Sequence, residues 1–163
     1  YDRNGIYASK GKLINKIFNE FKKNIFFKKK FPKSLDRNHF YFYYEKLKKY
    51  KANDAIHTAT IMTIYGILAG LKLNNENIDL IILTGGGRKN LFLQKKLKQK
   101  LKSKKISTKN IEIYGYNGDM IESQMFGYLA VRSLKKLHLS LPSTTGVKKA
   151  ISGGVLNGKL IKN

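Results

Sequence analysis

The sequence predicts an α/β fold, and three stretches carry that expectation. Leu80-Ile81-Ile82-Leu83 is an unbroken apolar run. Such a run suits a strand buried on both faces, as in a parallel sheet covered by helices. Gly85-Gly86-Gly87 follows, and Leu93, Leu97 and Leu101 then recur on one stripe of a helix that Asn90 is placed to cap. Ile111-Glu112-Ile113-Tyr114 predicts a second strand. Together they make a βαβ unit, whose crossover should be right-handed.

The glycine turn is also the first candidate site. Glycine permits positive φ and lets another group approach the bare backbone. At a helix start, unpaired N–H groups and the positive end of the dipole face one spot, where a phosphate fits. The loop is not a Walker A motif, because no Gly-Lys-Ser/Thr follows. Nor is it a dinucleotide fingerprint, because Asn90 stands where the third glycine belongs. On pattern alone, a nucleotide site and an ordinary tight turn remain equal readings.

Composition narrows the classes. A chain of 163 residues with 42% hydrophobic content is enough for one domain with a sizeable core. Cysteine is absent, which excludes disulfides and thiolate metal sites, and His39, His57 and His138 form no ligand pair at helical spacing. No apolar run is read as long enough for a membrane span, and no signal peptide precedes the first amphipathic segment, so a cytoplasmic protein is expected. The opening Tyr1-Asp2-Arg3-Asn4-Gly5 lacks a Met and reads as the interior of a longer protein.

The net charge of +23 invites a basic nucleic-acid-binding module as an alternative. Against it, only Arg3, Arg37, Arg88 and Arg132 are arginines, and the lysines are dispersed along the chain among Asn, Ile, Phe and Tyr. Base-reading sites favour arginine, so compositional bias explains the charge better than nucleic acid does.

In chain order, Ile14, Ile17, Phe18, Phe21 and Ile25 mark one face of a surface helix that dissolves into Lys28-Lys29-Lys30. Residues 31–40 form a loop rich in polar groups, in which Asp36 and His39 read more simply as a turn than as a catalytic pair. Phe42, Tyr43 and Leu47 suit a short helix packed on the sheet. Asn53-Asp54 is expected to cap a buried helix reaching about Gly70, with Gly66 and Gly70 allowing close packing; its front reads as too polar for a membrane. Asp119 and Glu122 have capping-box spacing ahead of a helix to Leu134 whose inner side carries Ile121, Met125, Phe126, Leu129 and Ala130. Both carboxylates are also candidates for the crevice at the strand ends. Leu141 to Gly146 reads as a turn-rich loop, and 151–156 as a short closing strand before Asn157-Gly158.

These motifs together resemble the C-terminal part of the anhydro-N-acetylmuramic acid kinase family, sugar kinases of the actin/hexokinase type. The matching pieces are Tyr1-Asp2-x-x-Gly5 with Ser9-x-Gly11, Pro32-Lys33-Ser34-x-x-Arg37-x-x-Phe40, Gly85-Gly86-Gly87-x-x-Asn90, Asn117-Gly118-Asp119-x-x-Glu122-x-x-x-Phe126, and Leu141-Pro142-Ser143-Thr144-Thr145-Gly146. They occur in family order over nearly the whole chain. The resemblance implies an RNase H-like lobe over residues 1–163, ATP and Mg²⁺, a sugar substrate, a cleft between two lobes and commonly a homodimer. It implies that Gly85, Gly86, Gly87 and Asn90 lie on the ATP side and that Glu122, with Asp119, lies near the sugar. The family's catalytic base belongs to an Asp-Thr-Gly segment upstream of Tyr1, and the N-terminal lobe with its phosphate loop is not matched. This chain is therefore expected to be inactive alone.

Overall fold

The run at 80–83 forms a strand and the stripe behind it a helix. The computed structural model describes residues 2–74 and 76–155. In order, the elements are α1 (Ile6–Lys10), α2 (Asn15–Lys22), α3 (Tyr41–Leu47), α4 (Ala52–Leu73), β1 (Leu80–Leu83), α5 (Leu91–Lys102), β2 (Ser107–Asn110), α6 (Ile121–Leu134) and α7 (Pro142–Thr145). β1 and β2 pair in parallel, with Leu80 opposite Ser107 and Leu83 opposite Asn110. The molecule is thus α/β, with a two-stranded parallel sheet among its described residues.

The second strand lies four residues ahead of its expected place. Ile111–Tyr114 is a 3-10 turn, closed where Gly115 turns left-handed at φ 77° and its N–H bonds Glu112 O. Ile106, not Ile111, reaches the core beneath α5, and the Ser107 N–H donates to Asp79 O at 2.8 Å, which sets the register. Nor is β1 fully buried: all four residues are half-exposed. Ile81 and Leu83 face the core, and Leu80 and Ile82 alternate to the other side.

α4 separates two apolar clusters. Met62 joins Ile17, Phe21, Tyr43 and Leu47, while Ile64 joins Leu97 and Leu101. Two positions along a helix turn through about 200°, so these side chains leave opposite faces. Leu97 and Leu101 are wholly buried. Complete burial of such a side chain stabilises by about 1.5–3 kcal/mol. In the first cluster Phe21 meets Phe27, Phe40 and Tyr43 at ring distances of 4.8, 5.3 and 5.2 Å.

Several boundaries differ from expectation because long-range contacts override local signals. α2 ends at Lys22, and Ile25 stands exposed in a following 3-10 turn. α3 packs on α2 and α4 rather than on the sheet, and its Phe42 is exposed. α4 starts at Ala52 without a side-chain cap; the Asp54 carboxylate instead accepts the Lys12 N–H at 2.7 Å. At 22 residues α4 is, by length and composition, long and apolar enough to cross a membrane, contrary to expectation. Here it packs against four helices, α1, α2, α3 and α5. Gly66 faces Phe27, whereas Gly70 has open space around it. α6 starts at Ile121, and none of its side chains is fully buried: Met125 and Phe126 are exposed. The tail closes through one antiparallel bridge, Ser140 to Ile151. Leu156 and Asn157-Gly158 lie outside the described residues.

Candidate functional site

β1 leads directly into the glycine turn. Gly85 has φ 68° and ψ −176°, a conformation essentially reserved for glycine. Its N–H donates to Gly118 O at 3.1 Å, and the Thr84 hydroxyl donates to the same oxygen at 3.3 Å. Gly86–Lys89 then makes one 3-10 turn, and Asn90 caps α5, its side-chain oxygen accepting the Leu93 N–H at 2.9 Å. Gly86 and Gly87 have open space where a Cβ would stand, and among the described residues their N–H groups have no backbone partner. They face a cleft of about 210 Å³ bordered also by Asp2, Asn4, Lys89 and Asn90. Asp2 is not a free charge there, because its oxygens accept the N–H groups of Tyr7 and Ala8 at 2.8 and 3.0 Å. The three glycines therefore differ: Gly85 shapes the turn, and Gly86 and Gly87 line an open cleft with N–H groups that have no backbone partner among the described residues.

Asp119 is not the N-cap of α6, which starts without a side-chain cap. Its carboxylate instead accepts Arg88 at 2.7 Å and Lys89 at 2.6 Å. The Arg88 guanidinium, only 5% exposed, also reaches Glu112 through Nε at 2.7 Å and Gly85 O at 2.9 Å. The Arg88 bond, followed by the Lys89 bond, holds Asp119 well below the usual carboxylate range. Glu112 is lowered chiefly by the same guanidinium, and Arg88 is raised first by Asp119 and then by Glu112. Gly118 is confined by this cluster, since a Cβ there would lie 2.4 Å from Arg88 Nε. Glu122 sits exposed in the first turn of α6, three residues past Asp119.

The fold thus joins the glycine turn to the Asn117–Asp119 loop. Gly118 and Asp119 carry the connection together with Arg88 and Glu112, which spacing did not single out. The available signal was slight: Arg88 is one of four arginines in a lysine-rich chain. A second junction brings Ser34 against α7, its hydroxyl donating to Thr145 O at 3.3 Å, with Gly146 packed on Pro32. Asp36 bonds the Asn38 N–H in a local turn, and the His57 ring Nδ1–H donates to Ala8 O at 2.7 Å. No group of three His, Asp or Glu among the described residues could hold a metal ion.

Comparison with known proteins decides the relationship. Residues 1–159 match the family model described as anhydro-N-acetylmuramic acid kinase. The chain belongs to that family. Relatives called anhydro-N-acetylmuramic acid kinase include that of Pelagibacter ubique, 40% identical over 96% of this chain, and that of Rhodopseudomonas palustris, 37% identical over 96%. The one from Roseobacter denitrificans is 34% identical over 94%. The chain spans 42%, 41% and 40% of those three proteins' lengths, respectively. The family match takes in the glycine turn, the Asn117–Glu122 stretch and the Pro32–Ser34 and α7 junction together.

Proposed function

We propose that residues 1–163 are the C-terminal part, one RNase H-like lobe, of a longer anhydro-N-acetylmuramic acid kinase. That enzyme transfers the ATP γ-phosphoryl group to the sugar O6 while water opens the 1,6-anhydro bridge, giving N-acetylmuramic acid 6-phosphate and ADP. The match over residues 1–159 carries this reading. The parallel β1–β2 pair with its crossover helix and glycine turn is compatible with the fold it implies. The enzyme would work in the cytoplasm, where ATP is available, and as a homodimer.

In this reading the N–H groups of Gly86 and Gly87, in the 3-10 turn that leads into α5, bind ATP phosphate or ribose, with the positive end of the α5 dipole following them in the chain. Gly85 and Asn90 keep that start in shape, Gly85 by its conformation and Asn90 by its cap. Glu122, exposed in the first turn of α6, hydrogen-bonds the sugar in this reading. The water-activating base lies outside residues 1–163, as does the loop that clamps the γ-phosphate. Mg²⁺, when bound in the longer enzyme, would neutralise charge on the transferring phosphate. The residues described here do not fit as its ligands, because Asp119, Glu112 and Asp2 are already engaged by Arg88, Lys89 and backbone N–H groups. Its protein ligands belong elsewhere in the longer enzyme.

Gly86→Val tests the assignment in the full-length protein. Gly86 is not in the left-handed region and has open space around it, so the fold tolerates the side chain. Binding of ATP, followed by calorimetry, is expected to weaken about tenfold or more, the loss of roughly one charge-assisted hydrogen bond. Unchanged affinity would remove the glycine turn from the nucleotide site.

A further inference from the structure

One side chain ties the two halves of the proposed site together. From a position 5% exposed, Arg88 bonds three separate pieces of chain: Gly85 O where β1 enters the glycine turn, Glu112 in the 3-10 turn after β2, and Asp119 at the approach to α6. Each of these bonds lies between 2.7 and 2.9 Å. A second set of bonds runs beside them, from the Gly85 N–H and Thr84 hydroxyl to Gly118 O, and from the Gly118 N–H to Glu112. The pocket fits a guanidinium closely, since Gly118 has no room for a Cβ beside Arg88 Nε. Without the Arg88 fork, the Gly118 bonds and the Lys89–Asp119 pair are what remains, among the described residues, to join the glycine turn to the loop that starts α6.

We propose that Arg88 is a positioning residue that locks the glycine turn to the start of α6, holding the phosphate donors of Gly86 and Gly87 at a fixed separation from Glu122. The inference rests on the kinase reading given above. It follows from what a guanidinium alone does: a planar fork presents donors in several fixed directions, whereas a lysine ammonium is a point charge on a flexible stem. Arg88 touches neither reactant in this assignment. It acts through Gly85 and Asp119, and a small displacement of bound reactants is enough to cost a transfer reaction heavily.

The test uses the full-length enzyme with Arg88→Lys. Sugar-dependent ADP release, binding stoichiometry of a non-hydrolysable ATP analogue and the melting temperature are measured on wild type and variant. If wild type releases no ADP in response to the sugar, the kinase reading fails and this inference falls with it. With an active wild type, Arg88→Lys is expected to bind one analogue per chain and to melt above the assay temperature. Its kcat is expected to fall about tenfold to a hundredfold, with the KM of each substrate within about threefold. A kcat within twofold of wild type would overturn the inference, as would a kcat loss matched by an equal loss of binding stoichiometry, which marks a merely structural role. Should Arg88→Lys not fold, Glu112→Ala and Asp119→Ala each remove the acceptor of one arm of the same junction. Reduced kcat at full stoichiometry is then expected from both, and wild-type kcat in both would overturn it.

Discussion

Gly85 and Gly86 are neighbours with opposite tolerances. At φ 68° and ψ −176°, Gly85 occupies backbone space that a side chain strains whatever room surrounds it, and its Cβ direction is open. Gly85→Ala is therefore expected to cost about 1–3 kcal/mol in denaturant unfolding without any steric clash. Asp119 and Glu112 carry a second residue-scale consequence. Both have folded pKa values below those of an ordinary carboxylate, first through Arg88. Their stabilisation is fully present above the unfolded value, about 3.9–4.3, and is lost as pH falls below that towards the depressed folded values. Between about pH 4.5 and 2 the melting temperature of wild type should consequently drop more steeply than that of Asp119→Asn. Parallel curves for the two proteins would contradict the ion pair. Asn90 was legible in the sequence because a cap bonds a residue three positions away. Asp119 was misread as a cap because its spacing to Glu122 imitates one, while its real partner stands 31 residues earlier.

Elements were legible where their own periodicity decided them. β1 and α5 are bounded by an apolar run, three glycines and a four-residue spacing of leucines, all local. β2 was not, because Ser-Thr-Lys-Asn carries no strand signal; its place is set by pairing with β1 and by the length of the crossover. The apolar side of α6 was predicted to face inward, yet Met125, Phe126 and Ala130 are exposed and only Ile121 and Leu129 are half-buried, since amphipathicity names a face but not what covers it. The seat of α1 on α4 was equally hidden. A Cβ on Gly11 would lie 2.0 Å from Asn53 O, backbone that cannot swing aside. Gly11→Ala should destabilise the chain by about 1–3 kcal/mol as the two helices are pushed apart. A change below about 0.5 kcal/mol would mean that this contact is loose in solution. The buried Thr58, which accepts the Ile14 N–H at 2.9 Å and donates to Asp54 O at 2.7 Å, secures the same end of α4.

At the scale of the whole molecule, the ordered series of motifs was legible in a single sequence because it runs through nearly the entire chain, and the family match covers residues 1–159. The tertiary junctions were not, because each joins segments far apart: Arg88 to Asp119, Ser34 to Thr145, Thr58 to Ile14. In the proposed enzyme this chain supplies nucleotide donors and a sugar-side carboxylate but no general base. Such assistance typically contributes about 10²–10⁴-fold. Asp119 is a poor substitute, since Arg88 and Lys89 favour its charged form and lower its basicity. ADP release should therefore be measured side by side for the full-length protein and for isolated 1–163, with anhydro-N-acetylmuramic acid, ATP and Mg²⁺ present. Sugar-dependent turnover is expected from the full-length protein and none from 1–163; turnover by 1–163 that Asp119→Asn abolishes would make this lobe an enzyme by itself, with Asp119 as its base.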